Sequence, residues 1–169
     1  GVISQAFAGG SPSHLKTLVL MNTVYRRTEE ELAGMRHRLE LTRDEGLAPI
    51  AKAAVNRWFD DVFKKQFPDR VELIRSKLLA NDRQAYTEAY AALVEADVIV
   101  QDALKHVSCP ALVLTGENDP GSTPAIAKRM AADLANAELA ILPGLHHLAS
   151  WEAPKTVNRR LIEFLKANR

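Results

Sequence analysis

A carboxylate and an imidazole, Asp119 and His147, stand 28 positions apart, and each follows a short apolar run broken by turn residues. Both are residue types suited to moving a proton at neutral pH. The first run, Ala111-Leu112-Val113-Leu114, ends in Gly116-Glu117-Asn118-Asp119-Pro120-Gly121. The second, Leu139-Ala140-Ile141-Leu142, breaks at Pro143-Gly144 and delivers His146 and His147. Runs of this length without alternation read as strands buried on both faces of a parallel sheet. The two groups therefore leave the same ends of two adjacent parallel strands, which is where open α/β sheets build sites.

Other readings of these residues stand beside that one. Asp119 also suits a turn residue that caps the following helix, a task open equally to Asn118, Ser122 and Thr123. Adjacent histidines invite metal ligation, but two neighbours rarely hold one ion without further ligands clustered near them, and none cluster here. No metal and no cofactor are expected. His146 is expected to support the loop. His14, His37 and His106 fall at a strand entry, in a helix and in a connecting segment, where solvation or a local bond accounts for them. Cys109, the single cysteine, begins a strand and reads as an inert buried thiol.

The elements that position the pair follow from punctuation and period. Thr123 caps a helix with Pro124 in its first turn. Leu15 to Met21 reads as a third buried strand, entered through Gly9-Gly10-Ser11-Pro12 and left at Asn22-Thr23. Residues 28–97 show apolar positions at helical spacing and no strand signal. Thr28 and Glu31 form a capping box for a helix to about Arg43. A second helix runs from Leu47 through Trp58 to Phe63, Pro68 opens a third, and Asn81 or Asp82 caps a fourth with Tyr86, Tyr90, Leu93 and Val94. A last helix, Pro154 to about Ala167, turns Val157, Leu161, Phe164 and Leu165 to the sheet. The fold class expected is α/β: a parallel-sheet slab with flanking helices, residues 1–27 and 98–169, into which four helices at 28–97 are inserted.

The Gly116-x-x-Asp119-Pro120 turn, the Gly144-x-x-His147-Leu148 segment and the Trp151-Glu152-x-Pro154 helix entry resemble the C-terminal part of the α/β-hydrolase fold. The resemblance implies that Asp119 is the acid and His147 the base of a nucleophile–histidine–acid triad, with the nucleophile first in chain order. It makes the three strands the last three of eight and residues 28–97 the lid. The segment from Asn56 to Val98, with Arg57-Trp58-Phe59 and its proline-started helix, is similar to the lid of 3-oxoadipate enol-lactonases and their neighbours. The substrate implied is a small ester or lactone, with Trp58 as a substrate-facing aromatic, although at helical spacing Trp58, like Trp151, also suits the core.

The nucleophile is missing from this pattern. Gly1-Val2-Ile3-Ser4-Gln5-Ala6-Phe7 is similar to the last glycine of a G-x-S-x-G-G elbow and the helix after it, so the serine is expected upstream of Gly1. Ser4 falls inside an amphipathic helix rather than on an elbow. The chain alone is expected to be inactive, because both oxyanion-hole N–H groups of this fold also precede Gly1. The strand at 15–21 would then expose an apolar edge, open to a missing N-terminal half or to a second copy of the chain. A non-catalytic module that binds an apolar ligand or self-associates is the alternative.

Composition sets bounds on partners. With 169 residues, 47% hydrophobic and 25% charged, the chain can bury a real core. A net charge of +1 gives no reason to expect nucleic acid or an anionic membrane. No apolar run approaches the roughly 20 residues that span a bilayer. One cysteine excludes an internal disulfide and fits a reducing cytoplasm.

Overall fold

The computed structural model describes all residues from Gly1 to Arg169. Its contacts divide the chain into two compact units: Gly1–Arg26 with Asp97–Arg169, and Arg27–Ala96.

The first unit is built on a three-stranded parallel sheet in the order β1-β2-β3, with β1 Leu18–Met21, β2 Ala111–Gly116 and β3 Ala137–Leu142. Leu18 pairs with Ala111 and Ala111 with Ala137, so the three strands end on one edge of the sheet. Period-two alternation sorts their side chains. Leu18, Leu20, Ala111 and Val113 enter one core with Tyr25, Leu104, Ile126, Met130 and Ala8. Leu112, Leu114, Ala140 and Leu142 enter the other with Ala149, Val157 and Phe164. Helix α7, Pro124–Asp133, covers the first face, and α9, Pro154–Ala167, covers the second. β2 lies between its neighbours and is buried at all six positions.

Two expectations are adjusted here, the length of the first strand and the facing of Leu165. The first strand is shorter than 15–21, because Leu15 is held in a turn by its N–H bond to the Pro12 carbonyl and pairing begins at Leu18. Leu165 does not face the sheet: it is 45% exposed, while Val157 and Phe164 carry the contact. In α1, Val2–Gly9, the buried residues are Gln5 and Ala8, whereas Ile3 is 85% and Phe7 54% exposed. The Gln5 amide donates to the Val24 carbonyl at 2.9 Å, and this bond sets the face that α1 turns inward.

The second unit is helical. Its capping box is formed, with Thr28 accepting from the Glu31 N–H and the Glu31 carboxylate accepting from the Thr28 N–H. Helix α2 runs Glu29–Glu45 and stops at Gly46, whose φ of 80° only glycine adopts cheaply. The stretch expected as one helix from Leu47 to Phe63 is two, so the unit holds five helices rather than four. α3 ends at Trp58, Phe59 and Asp60 are extended, and α4 runs Asp61–Gln66. Asp60 causes the break: its carboxylate accepts the Phe63 N–H, the local bond that competes with helix continuation. The Phe59 and Phe63 rings, 5.0 Å apart and nearly parallel, hold the two pieces together. Helix α5, Pro68–Leu79, starts on its proline, and Asp82 caps α6, Arg83–Val100, by accepting from Ala85 N–H. Replacing Asp60 by Ala removes a cap, and we expect urea denaturation to show a loss of about 1 kcal/mol in stability.

Candidate active site

Parallel pairing brings the ends of β1, β2 and β3 to one edge, and the turns leaving β2 and β3 are knitted together there. The Glu117 N–H donates to the Leu142 carbonyl and the Asn118 N–H to the Leu145 carbonyl, both at 2.9 Å. The Glu117 carboxylate accepts the Gly144 N–H, and the Asn118 amide donates to the Gly144 carbonyl. Gly116 permits this closeness. A Cβ there would lie 2.2 Å from the Leu145 carbonyl oxygen and 2.6 Å from that of His146. Both obstacles are backbone and cannot swing aside.

Asp119 is 2% exposed. Its two oxygens divide the labour. Oδ1 accepts the N–H groups of Gly121 and Ser122 at 2.9 and 2.8 Å, so the turn role considered for this residue is real. Oδ2 faces His147 Nδ1 at 2.8 Å and accepts the Asn22 amide at 2.9 Å. Capping of α7 falls to Thr123, which accepts from Ile126 N–H. The turn is closed by Thr115, whose hydroxyl donates to the Ser122 carbonyl at 2.6 Å.

Burial by itself would push the Asp119 carboxyl upward. The His147 hydrogen bond and charge, joined by Asn22 and the Ser122 N–H, outweigh it and bring the group down to about 2. The carboxylate is therefore ionised at neutral pH and can only accept, which makes His147 Nδ1 the donor. An imidazole held this way presents Nε2 for proton transfer.

His146 engages a different carboxylate. Its N–H donates to Glu152 Oε2 at 2.6 Å, and its ring Nδ1 lies 3.4 Å from Glu152 Oε1. Glu152, in the short helix α8 (Ala149–Glu152), is almost wholly buried and braces the loop that carries His147. Trp58 ends α3 in the helical unit and is half-buried. Ser4 is exposed within α1. The Cys109 thiol is pushed up by burial and packs against the first core. His14 lies beside the Phe7 ring, and the His106 carbonyl accepts the Ser11 hydroxyl. Asn22 and Glu152 are the site residues whose contacts sequence reasoning did not anticipate. The Glu of the Trp-Glu-x-Pro run was an available signal for Glu152, whereas Asn22 had none in its own neighbourhood.

Two measurements check this geometry. Gly116→Ala should lower stability by more than about 2 kcal/mol in urea denaturation, through backbone displacement of the histidine loop. Asp119 is held below the ordinary value of 3.8, so its stabilisation is complete above that pH and is lost as pH falls through about 2. The wild-type advantage over Asp119→Asn should accordingly shrink by about 2 kcal/mol between pH 5 and pH 2.

The geometry agrees with what the chain is similar to. A family profile described as the alpha/beta hydrolase family matches residues 1–160. The chain is 30% identical to 3-oxoadipate enol-lactonase 2 of Acinetobacter baylyi over 98% of its own length and 60% of that protein's. It is 29% identical to (E)-2-((N-methylformamido)methylene)succinate hydrolase of the same organism, covering 92% of itself and 57% of the relative. The crystal structure of the enol-lactonase from Burkholderia xenovorans LB400 superposes with a TM-score of 0.86 at 23% identity, over 98% of this chain and 62% of that one. The chain thus spans about three fifths of the length of these proteins. With its strands, its turns and the matched profile in agreement, the chain belongs to the alpha/beta hydrolase family.

Proposed function

We propose that this chain carries the acid and the base of a serine hydrolase acting on a small ester or lactone of the enol-lactone kind. The observation that carries the reading is the Nδ1–Oδ2 contact of 2.8 Å between His147 and a buried, ionised Asp119. In the reaction, His147 Nε2 removes the proton of a serine hydroxyl as that oxygen attacks the carbonyl and returns it to the leaving oxygen. The same nitrogen then deprotonates a water that attacks the acyl-serine, and gives that proton back to the departing serine oxygen as the acid is released. Asp119 remains ionised, holds the tautomer and stabilises the imidazolium. The serine and the oxyanion-hole N–H groups are supplied by the elbow and loop that precede Gly1 in this order of elements. Residues 28–97 act as the lid, with Trp58 toward the substrate. Acyl transfer to a serine needs only proton transfer and oxyanion stabilisation, so this reading calls for no cofactor.

The outer edge of β1 supports the same reading. Leu18–Met21 pair only with β2, and Ile3 and Phe7 of α1 are exposed. A further parallel strand from the serine-bearing segment satisfies that edge. The same surface favours the alternative, self-association of a non-catalytic module through β1.

The test compares the 169-residue chain with a polypeptide that extends it upstream through a G-x-S-x-G-G elbow, on p-nitrophenyl acetate and on an enol-lactone. The chain alone should show no turnover. The extended polypeptide should hydrolyse both, losing about 10⁶-fold in kcat in His147→Ala and about 10⁴-fold in Asp119→Asn. Hydrolysis by the extended protein that is indifferent to His147→Ala overturns the reading, as does hydrolysis by the chain alone that vanishes in Ser4→Ala.

A further inference from the structure

Asn22 stands one residue past β1, on the opposite side of β2 from the strand that delivers His147. Its side-chain nitrogen lies 2.9 Å from Asp119 Oδ2, 3.4 Å from Thr115 Oγ1 and 3.5 Å from the His146 carbonyl oxygen. All three partners present lone pairs: an ionised carboxylate, a main-chain carbonyl, and a hydroxyl that has given its proton to Ser122. An amide oxygen in that position would face only acceptors, so the chemistry requires the NH₂ there. One side chain from the residue after β1 therefore joins the turn leaving β2 to the loop leaving β3.

The backbone supports this placement. Asn22 has φ 44°, in the left-handed region where asparagine is among the few non-glycine residues found, and its N–H is held by the Leu114 carbonyl at 2.9 Å. Among the side chains around the carboxylate, Thr115 spends its proton elsewhere and His147 is the reacting partner. Asn22 remains as the one fixed side-chain donor. Two N–H groups pin Oδ1, and without a second donor on Oδ2 the direction of the lone pair toward His147 would rest on the histidine alone.

The geometry points to Asn22 as the positioning residue of the Asp119–His147 pair: its amide fixes Oδ2, keeps the proton on His147 Nδ1 and couples the two turns. The inference rests on those residues acting as acid and base, but its test requires no substrate and no nucleophile. Only His147 titrates among the side chains that face Asp119 from β1, β2 and the β3 turn.

The measurement is NMR on the 169-residue chain, following the Asp119 carboxyl carbon through an acid titration and the exchange of the His147 Nδ1 proton with water. Two variants separate side chain from backbone. Asn22→Gly retains the left-handed conformation without a donor. Asn22→Asp retains both the conformation and the shape but turns an acceptor toward the carboxylate. The Asp119 midpoint should rise from about 2 in Asn22→Gly and rise further in Asn22→Asp. Nδ1–H exchange should accelerate roughly tenfold or more in both. Unchanged midpoint and exchange in either folded variant overturn the inference and leave Asn22 a turn residue. Absence of hydrolysis in any extended protein would count against the proposed function without touching this result.

Discussion

A carboxylate enclosed by protein cannot stay charged unless the surrounding donors replace the water it has lost, and that requirement at Asp119 organises the first unit. Four donors meet it: two backbone N–H groups from its own turn, an amide from the end of β1 and an imidazole from the turn after β3. They come from three strands, so the charge is tolerable only where the sheet is parallel, in register and complete from β1 to β3. The Asp119–His147 contact and the solvation of a buried charge are then one arrangement. Removing one donor weakens both together.

The reason the turns can meet is steric rather than electrostatic. The Leu145 carbonyl approaches β2 to a distance at which no side chain fits at position 116, and the Glu117, Asn118 and Gly144 bonds hold it there. Gly144, at φ 71°, turns the chain out of β3 and down onto that surface. Glu152 then ties the His146 backbone from the far side, through a carboxylate that is itself almost wholly buried. The histidine loop is thus held by backbone bonds on one side and a carboxylate on the other, which suits an imidazole whose orientation must not drift.

Much of this was legible beforehand, and the reasons differ from part to part. Strands β2 and β3, the Thr28 and Thr123 caps and the proline starts at 68, 124 and 154 rest on local rules, and local rules can be read from a window of a few residues. The juxtaposition of residues 119 and 147 was legible because both follow strands that the pattern marked as parallel neighbours. The break at Phe59-Asp60 was not anticipated, since the apolar stripe runs on through Phe63 and periodicity cannot register one cap that competes with it. Asn22 escaped for another reason. Its partners lie 93, 97 and 124 residues away, and nothing local distinguishes an asparagine that ends a strand from one that completes a site. The inward face of α1 rests on a long-range contact of the same kind, the Gln5 bond to Val24, while Ile3 and Phe7 stay exposed.

That outward face and the β1 edge belong to one physical argument. A parallel strand of four residues, apolar on both faces, is stable only when both of its edges are paired or covered. β1 has one edge on β2, while Ile3 and Phe7 on the neighbouring helix stand in solvent. Burying Ile3 would contribute about 1.5–3 kcal/mol, and the half-exposed Phe7 less. A segment that paired with β1 and covered Ile3 and Phe7 would satisfy the open strand edge and the exposed apolar side chains together.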